Sequence, residues 1–95
     1  MSTSSPSPRF TDKQGQYLAF IHAYSLLNGR PPAEADMERY FGVTPPSVHR
    51  MVVQLERRGL IHRLPRQARS VHLAVDPQSL PHLRPQSINS SVPRY

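Results

Sequence analysis

The chain has 95 residues and no cysteine, which leaves room for one modest domain and excludes disulfides, thiolate metal sites and cysteine nucleophiles. Twelve Lys and Arg residues outnumber six Asp and Glu residues, so the net charge of +6 favours an anionic partner such as nucleic acid. The N-terminus lacks the charged and apolar blocks of a signal peptide, and no apolar run approaches the roughly 20 residues of a membrane helix, so we expect a cytoplasmic protein.

The first predicted element is an amphipathic helix that begins after Thr11. Thr11 and Gln14 have the spacing of a capping box, and Asn28-Gly29 ends the helical pattern. Between them the apolar residues recur at helical spacing: Tyr17, Phe20, Ile21, Tyr24 and Leu27. Arg30-Pro31-Pro32 then predicts an extended connection, because a residue before proline disfavours the helical region.

A second, short helix is predicted from about Ala33 to Phe41. Its three acidic residues lie on the outward face or in the first turn, where they suit the helix dipole, and Gly42 ends it as a left-handed cap. Only Val43 separates this glycine from Thr44, the predicted N-cap of the next helix, and Pro45 occupies the permitted first helical position. The pattern is therefore helix, glycine turn, helix.

The third predicted helix covers residues 44–58 and ends at Gly59. Its apolar stripe consists of Val48, Met51, Val52 and Leu55. The remaining side chains point away from the core: Pro46, Ser47, His49, Arg50, Val53, Gln54 and Arg57.

After the third helix the apolar period changes from 3.6 to about 2, which predicts two strands over residues 60–64 and 71–75. The connection Pro65-Arg66-Gln67-Ala68-Arg69 is polar and basic, as expected of an exposed hairpin tip. His62 and His72 can meet across this hairpin. The fold class is thus mostly α with a small β-hairpin, a winged helix-turn-helix of three helices and a two-stranded wing.

Both ends of the chain have a composition that is typical of disorder. Residues 1–9 and 84–95 are rich in Ser, Pro, Asn and Gln and contain few apolar side chains. We expect them to be a disordered arm and a disordered tail around one folded domain over residues 10–83. The last stretch of that domain, 75–83, either packs back on its own core, which we predict, or docks a second subunit.

The positive charge is concentrated in one third of the chain. Residues 44–75 contain six arginines and one acidic residue, Glu56, for a net charge of +5. Such a patch is expected on a protein that binds a phosphate polymer, and the alternative is a solvated basic face.

Four stretches of the sequence, taken in this order, resemble those of a known family: Phe10-Thr11-Asp12-Lys13-Gln14-Gly15-Gln16, Asn28-Gly29-Arg30-Pro31-Pro32, Phe41-Gly42-Val43-Thr44-Pro45-Pro46-Ser47-Val48 and Leu55-Glu56-Arg57-Arg58-Gly59-Leu60-Ile61. From about Phe10 to Leu73 the chain resembles the N-terminal DNA-binding domain of the LexA repressor family. The resemblance implies a winged helix-turn-helix that binds DNA. It also implies a recognition helix that contacts DNA through Thr44, Pro46, Ser47, His49 and Arg50.

The chain departs from that family in two respects. The family's best-known member has Asn and two Glu where this chain has Pro46, His49 and Arg50, so the family's operator sequence is not carried over. The family's repressors also continue into a self-cleaving Ser/Lys peptidase domain. These 95 residues contain a single lysine, Lys13, at the start of the first helix, so we expect no autocleavage.

The third helix supplies most of the candidate DNA contacts. Arg50 can fork onto guanine, or remain a surface arginine. Ser47 and Thr44 can donate to phosphate or base at the helix N-terminus, where backbone amides also favour anions, although Thr44 can equally be only a cap. His49 can reach a base edge or a phosphate, or stay solvated, and Gln54 can reach adenine one turn further on.

The hairpin tip supplies the second set of candidate contacts. Arg66 and Arg69 flank its turn, with Gln67 beside them, and can lie on the DNA backbone or enter the minor groove. The other arginines of the basic segment either cover apolar surface with their stems or add unspecific attraction: Arg57, Arg58 and Arg63.

Metal, cofactor and single-strand interpretations are weaker. The five histidines form no i, i+4 pair and have no cysteine beside them, so we expect no metal and no cofactor. The aromatic residues follow helical core spacing and are expected to pack inside rather than stack on bases: Tyr17, Phe20, Tyr24, Tyr40 and Phe41.

The sequence therefore predicts a bacterial protein that binds double-stranded DNA and regulates transcription, with helix 44–58 in the major groove and wing 65–69 on the backbone or minor groove. The alternative is an interaction module whose basic face binds an acidic protein or structured RNA. No catalytic constellation is present, so we expect no enzyme. We further expect a homodimer on DNA, residence at the nucleoid, no membrane partner and no small-molecule effector.

Overall fold

The computed structural model describes residues 10–86, and the predicted arm 1–9 and the tail residues 87–95 lie outside this range. In chain order the elements are α1 (Asp12–Asn28), α2 (Glu34–Phe41), α3 (Pro45–Arg57), β1 (Ile61–His62) and β2 (His72–Leu73), followed by a 3-10 turn (Pro77–Ser79). The two strands pair antiparallel. Three helices with a two-stranded wing confirm the predicted winged helix-turn-helix. Among the described residues, no helix is both long and apolar enough to cross a membrane.

The predicted capping box starts α1. Thr11 Oγ1 accepts from the amide of Gln14 at 3.1 Å, and Gln14 Oε1 accepts from the amide of Thr11 at 3.0 Å. The first half of the helix is buried all round, over residues 14–21. Leu27, the last apolar residue in the helical spacing of the first predicted helix, lies outside the core, since this side chain is 85% exposed. The last turn of α1 extends beyond the core, which on this helix ends at Tyr24.

The core lies where the three helices meet the base of the wing. Its fully enclosed side chains come from all of these elements: Leu18, Ile21, Met37, Val48, Val52, Leu55, Leu60 and Ile61. Aromatic rings extend it between α1 and α2, because Tyr17 stacks on Phe41 at 4.1 Å between ring centroids and Phe20 meets Tyr40 at 4.8 Å. The predicted packing of the aromatic residues is confirmed.

The turn between α2 and α3 has the predicted form. Gly42 adopts a φ of +66°, which glycine accepts without strain, and its amide donates to the carbonyl of Glu38. Three residues of the predicted stripe on α3 are fully buried, namely Val48, Val52 and Leu55, while Met51 is half-buried. The opposite face of α3 is thereby turned to solvent.

The wing has less strand than predicted. The register pairs Ile61 with Leu73 and His62 with His72, so the histidines meet as expected, but pairing stops after two residues on each strand. The expected strands over 60–64 and 71–75 were too long. Residues 64–70, hereafter the wing loop, leave the ladder between Arg63 and the buried Val71, because Ser70 Oγ, and not a facing backbone carbonyl, accepts the amide of Leu64 at 2.9 Å.

The C-terminal segment packs back across α1, as predicted. Gln16 donates through Nε2 to the carbonyl of His82 and accepts through Oε1 from the amide of Arg84, both at 2.8 Å. Gly15 allows the close approach, since a Cβ on it would lie 3.1 Å from the ring of Pro81. The packed segment therefore reaches Arg84, beyond the predicted domain boundary at residue 83.

Candidate nucleic-acid interface

The outward face of α3 presents most of the side chains that the sequence assigned to it, although Val53 is half-buried. Pro46, His49, Arg50 and Gln54 are exposed, and Ser47 is half-buried. We call these residues, together with Thr44, the α3 face. The core stripe on the other side of the helix determines their orientation, because residues three and four apart share one face of a helix.

Arg50 is the free cation of the α3 face. Within residues 10–86 no hydrogen bond or ion pair engages its guanidinium, which lies in solvent. Glu56, the one acidic residue of the basic segment, accepts from Arg63 Nε at 2.9 Å. Gln54, one turn further on, accepts only a long hydrogen bond of 3.4 Å from Gln14 Nε2. Both side chains are therefore available to an external partner.

The N-terminus of α3 offers hydroxyls more than amides. Thr44 is the N-cap residue, as predicted, but its Oγ1 donates to Ser47 Oγ at 3.0 Å and makes no cap hydrogen bond. Pro45 and Pro46 have no N–H, and the amide of Ser47 already donates to the carbonyl of Thr44 at 3.0 Å. The expected backbone contribution to anion binding is thus small here, and a phosphate would meet the hydroxyl pair.

A network of polar and charged side chains joins α2 and α3 to Arg63, the residue that follows β1. His49 Nδ1 lies 3.4 Å from Glu34 Oε2, and the same carboxylate lies 3.8 Å from Arg63 Nη1. Arg63 also bonds Glu56, and its side chain is only 26% exposed. Arg63 thus fastens β1 to both helices, and His49 has an acidic neighbour that can hold its ring in place.

The wing loop turns two of its predicted contact residues outwards. Arg66 and Gln67 are exposed, and no partner engages Arg66 within residues 10–86. Arg66 has a φ of +62°, in the left-handed region that costs a non-glycine residue about 1–2 kcal/mol. A strained residue with an unpaired cationic side chain at a loop tip fits a binding site, where such strain is commonly found.

Arg69 turns inwards instead. Its Nη1 donates to Asp36 Oδ2 at 3.0 Å, to Tyr24 Oη at 3.1 Å and to the carbonyl of Pro31 at 3.3 Å. Its guanidinium carbon also lies 5.9 Å from the centroid of the Tyr24 ring. The predicted DNA contact by Arg69 stays a prediction, and the contacts observed place its guanidinium against the domain itself.

Asp36 is the acceptor at the centre of this cluster. Its side chain is 8% exposed and accepts from the amide of Ala33 at 2.8 Å and from Arg39 as well as Arg69. Burial raises the pKa of Asp36, but the Ala33 amide and the guanidiniums of Arg69 and Arg39 outweigh it, so the pKa is below its ordinary value of 3.8. The carboxylate is therefore ionised at neutral pH and holds both arginines.

The arginines of the basic segment thus fall into two groups. Arg63 and Arg69 are paired with carboxylates inside the domain, and Arg58 is not free either. Arg50 and Arg57 on α3 and Arg66 on the wing loop have no such partner among the described residues. The free arginines of this segment lie on α3 and the wing loop, the two elements that the sequence assigned to DNA.

Sequence reasoning missed the roles of Asp36 and Tyr24. It placed Asp36 on the outward face or in the first turn of the second helix. Asp36 does lie in the first turn, at the N3 position of α2, but its carboxylate is buried and not outward. The available signal was that N3 position, which predicts a bond to the preceding amide but not the long-range arginine. In the part of the chain that is described, no group of three His, Cys, Asp or Glu residues could hold a metal ion.

The sequence of the chain matches a known protein family and is similar to named relatives. The family described as LexA DNA binding domain matches residues 7–70. A LexA repressor of Thermosipho melanesiensis is 36% identical over 72 residues, which are 76% of this chain and 36% of the relative. A LexA repressor of Thermosipho africanus is 36% identical over 70 residues, 74% of this chain and 35% of the relative. The chain thus matches about a third of the length of these relatives.

Proposed function

The chain belongs to the LexA DNA-binding domain family, and from this premise we propose that it binds double-stranded DNA and regulates transcription. In this proposal α3 lies in the major groove and the wing loop lies on the backbone or in the minor groove. The observation that carries the proposal is the set of unpaired, exposed cations on these two elements, Arg50 and Arg57 on the helix and Arg66 on the loop.

The α3 face is assigned to base reading. Arg50 is free to fork onto the O6 and N7 atoms of guanine, and Gln54 to reach adenine. The hydroxyl pair of Thr44 and Ser47 is placed to donate to phosphate at the start of the helix. His49, held beside Glu34, contacts a base edge or a phosphate, and Pro46 packs against the DNA surface.

The wing loop is assigned to the backbone. Arg66 is free and Gln67 is exposed, whereas Arg69 turns inwards, so the proposed wing contact depends on the first two residues. A phosphate contact adds affinity to every DNA sequence. It also makes binding weaken as the salt concentration rises, because the release of counterions from the DNA then contributes less free energy.

One domain of this size covers one half-site, so we propose that two copies occupy a two-fold symmetric site. Regulation of transcription then takes place at the nucleoid. The stoichiometry of a complex with a symmetric duplex, measured by analytical ultracentrifugation, tests this point, and a single copy on a saturated symmetric site would contradict it.

The proposal is tested by selecting binding sites from random duplexes and then titrating the selected duplex and an unrelated one over a range of salt. We expect affinity to fall steeply with salt. Arg50→Ala should cost about 1–3 kcal/mol on the selected duplex and flatten the preference between the two. Arg66→Ala should weaken both about equally and lower the salt slope by about one.

Arg84→Ala is the matched control, because it removes the same charge from a side chain that pairs with Asp12 on the tail side of α1. It should leave the preference between duplexes unchanged. Absence of binding to any duplex at low salt would refute the proposal. Retention of structured RNA or an acidic protein, without competition from duplex DNA, would favour an interaction module instead.

A further inference from the structure

The wing loop has no apolar anchor. Between Ile61 and Val71, a stretch that is described throughout, the only buried residue is Ser70. A cleft of about 250 Å³ also separates the loop from residues 32–34 at the start of α2. Hydrophobic packing therefore ends at Ile61 and Val71 and does not hold the residues between them, although the tip of the loop carries the free guanidinium of Arg66.

Polar contacts do so instead, and they divide into two kinds. Ser70 Oγ closes the loop on itself, accepting from the amide of Leu64 at 2.9 Å and lying 2.9 Å from the carbonyl of Gln67. Arg69 joins the closed loop to the helices, since its guanidinium spans to Asp36 and Tyr24. Arg63, just before the loop, is held by Glu34 and Glu56. Beyond it, Ser70 determines the shape of the loop, and Arg69 determines where the loop lies.

The backbone of Arg69 supports this assignment. Its φ of +56° is unfavourable for a non-glycine residue, and such a conformation persists only where surrounding contacts hold it. The side-chain bonds to Tyr24, Pro31 and Asp36 are those contacts.

We propose that Arg69 is a positioning residue that fastens the wing loop to α1 and α2 through Asp36, Tyr24 and Pro31, and thereby presents Arg66 and Gln67 to the DNA backbone. This inference depends on the proposed DNA binding. Arg69 acts on affinity through the wing loop, and its own charge stays with Asp36.

A direct contact and a positioning role predict opposite effects for Asp36→Asn. The substitution removes a negative charge, so simple attraction to phosphate predicts tighter DNA binding. The positioning role predicts weaker binding, because the carboxylate that holds Arg69 is lost and Arg66 is no longer presented. The sign of the change therefore separates the two mechanisms.

The experiment measures duplex affinity and backbone amide hydrogen exchange for the full chain and its variants. We expect Asp36→Asn and Arg69→Gln each to lower affinity about fivefold, close to the loss caused by Arg66→Gln. Amides of residues 64–69 should exchange faster in both variants while those of α3 stay protected. In an Arg66→Gln background, Asp36→Asn should add less than about twofold, since both changes remove the same contact.

Arg39→Gln is the matched control. It removes the same charge as Arg69→Gln and also breaks an ion pair with Asp36, but its side chain is 72% exposed and it leaves the wing loop attached. Exchange over residues 64–69 should stay as in the unmodified chain. If Asp36→Asn unfolds the domain, Tyr24→Phe tests the same prediction. It removes one acceptor of Arg69 and keeps the ring, so it should also lower duplex affinity and speed amide exchange over residues 64–69.

An affinity of Asp36→Asn that equals or exceeds that of the unmodified chain, with the domain folded, overturns the proposal. So does full additivity with Arg66→Gln, because an independent contact would be involved. If the unmodified chain binds no duplex, the proposed function fails, while the exchange measurements still decide whether Arg69 fastens the loop.

Discussion

The α3 face and the wing loop are presented to solvent by different physical means. On α3 a stripe of three fully buried side chains, Val48, Val52 and Leu55, leaves the opposite face outside whatever residues occupy it. In the wing loop no apolar side chain is buried, and a few polar contacts with Ser70 and Arg69 give the loop its shape and place. Helix presentation is therefore robust to change at the surface, and wing presentation depends on single hydrogen-bonded groups.

The largest expected effect comes from breaking the buried side of α3. Leu55→Ala removes a fully buried side chain and should lower the free energy of unfolding by about 2–5 kcal/mol, measured by urea unfolding. Leu27→Ala is the control, since an 85% exposed leucine should change it by less than about 0.5 kcal/mol. Equal losses of unfolding free energy in the two variants would contradict the conclusion that burial of this stripe holds α3 in place.

Opening the wing loop should have a smaller effect. Ser70→Ala leaves the amide of Leu64 without its acceptor and should cost about 1–2 kcal/mol of unfolding free energy. Ser25→Ala, which removes only a bond from Oγ to the carbonyl of Ile21 within α1, should be neutral or slightly stabilising. A Ser70→Ala variant as stable as the unmodified chain would mean that something other than this hydroxyl closes the loop.

Relieving the strain at the wing tip should separate stability from binding. Arg66→Gly removes the penalty of a +62° φ and should raise the unfolding free energy by about 1 kcal/mol while weakening duplex binding. Ala68→Gly, at an exposed position of the same loop without a positive φ, should lower stability by about 0.5–1 kcal/mol. If the unfolding free energy changed with the same sign in both variants, the backbone of Arg66 would not be strained.

The smallest expected effect is acid-dependent. The pKa of Asp36 in the folded chain is below 3.8, so the unfolded chain takes up the proton first and stability is lost as pH falls below about 4. Above that range the contribution is fully present. The difference in melting temperature between the unmodified chain and Asp36→Asn should therefore be constant near neutral pH and shrink below about pH 4. A constant difference down to about pH 2.5 would contradict a depressed pKa at Asp36.

The helical half of the molecule could be predicted well because its signals are local. The capping box at Thr11, the glycine turn at Gly42 and the stripe of α3 each lie within a few residues, and the structure has all three. Leu27 is the exception, because helical spacing shows that a residue shares a face with core residues but not how far the core extends along that face.

The wing could be predicted only in outline. Alternation indicated two strands and brought His62 opposite His72, yet it could not show where pairing stops. The end of the ladder depends on Ser70 reaching back six residues to Leu64, and the position of the loop depends on Arg69 reaching residues more than thirty positions away. Such partners leave no periodic pattern in a single sequence.

By itself the sequence determined that this protein is a winged helix-turn-helix with a basic segment over α3 and the wing, since periodicity, caps and charge are properties of neighbouring residues. Only the tertiary structure decided which arginines are free. Charge and position in the sequence make Arg50, Arg66 and Arg69 equivalent candidates for DNA contacts. The fold distinguishes them, because Asp36 pairs with Arg69 while Arg50 and Arg66 lie in solvent. Ion pairing depends on distance in space, which the order of residues along the chain does not reveal.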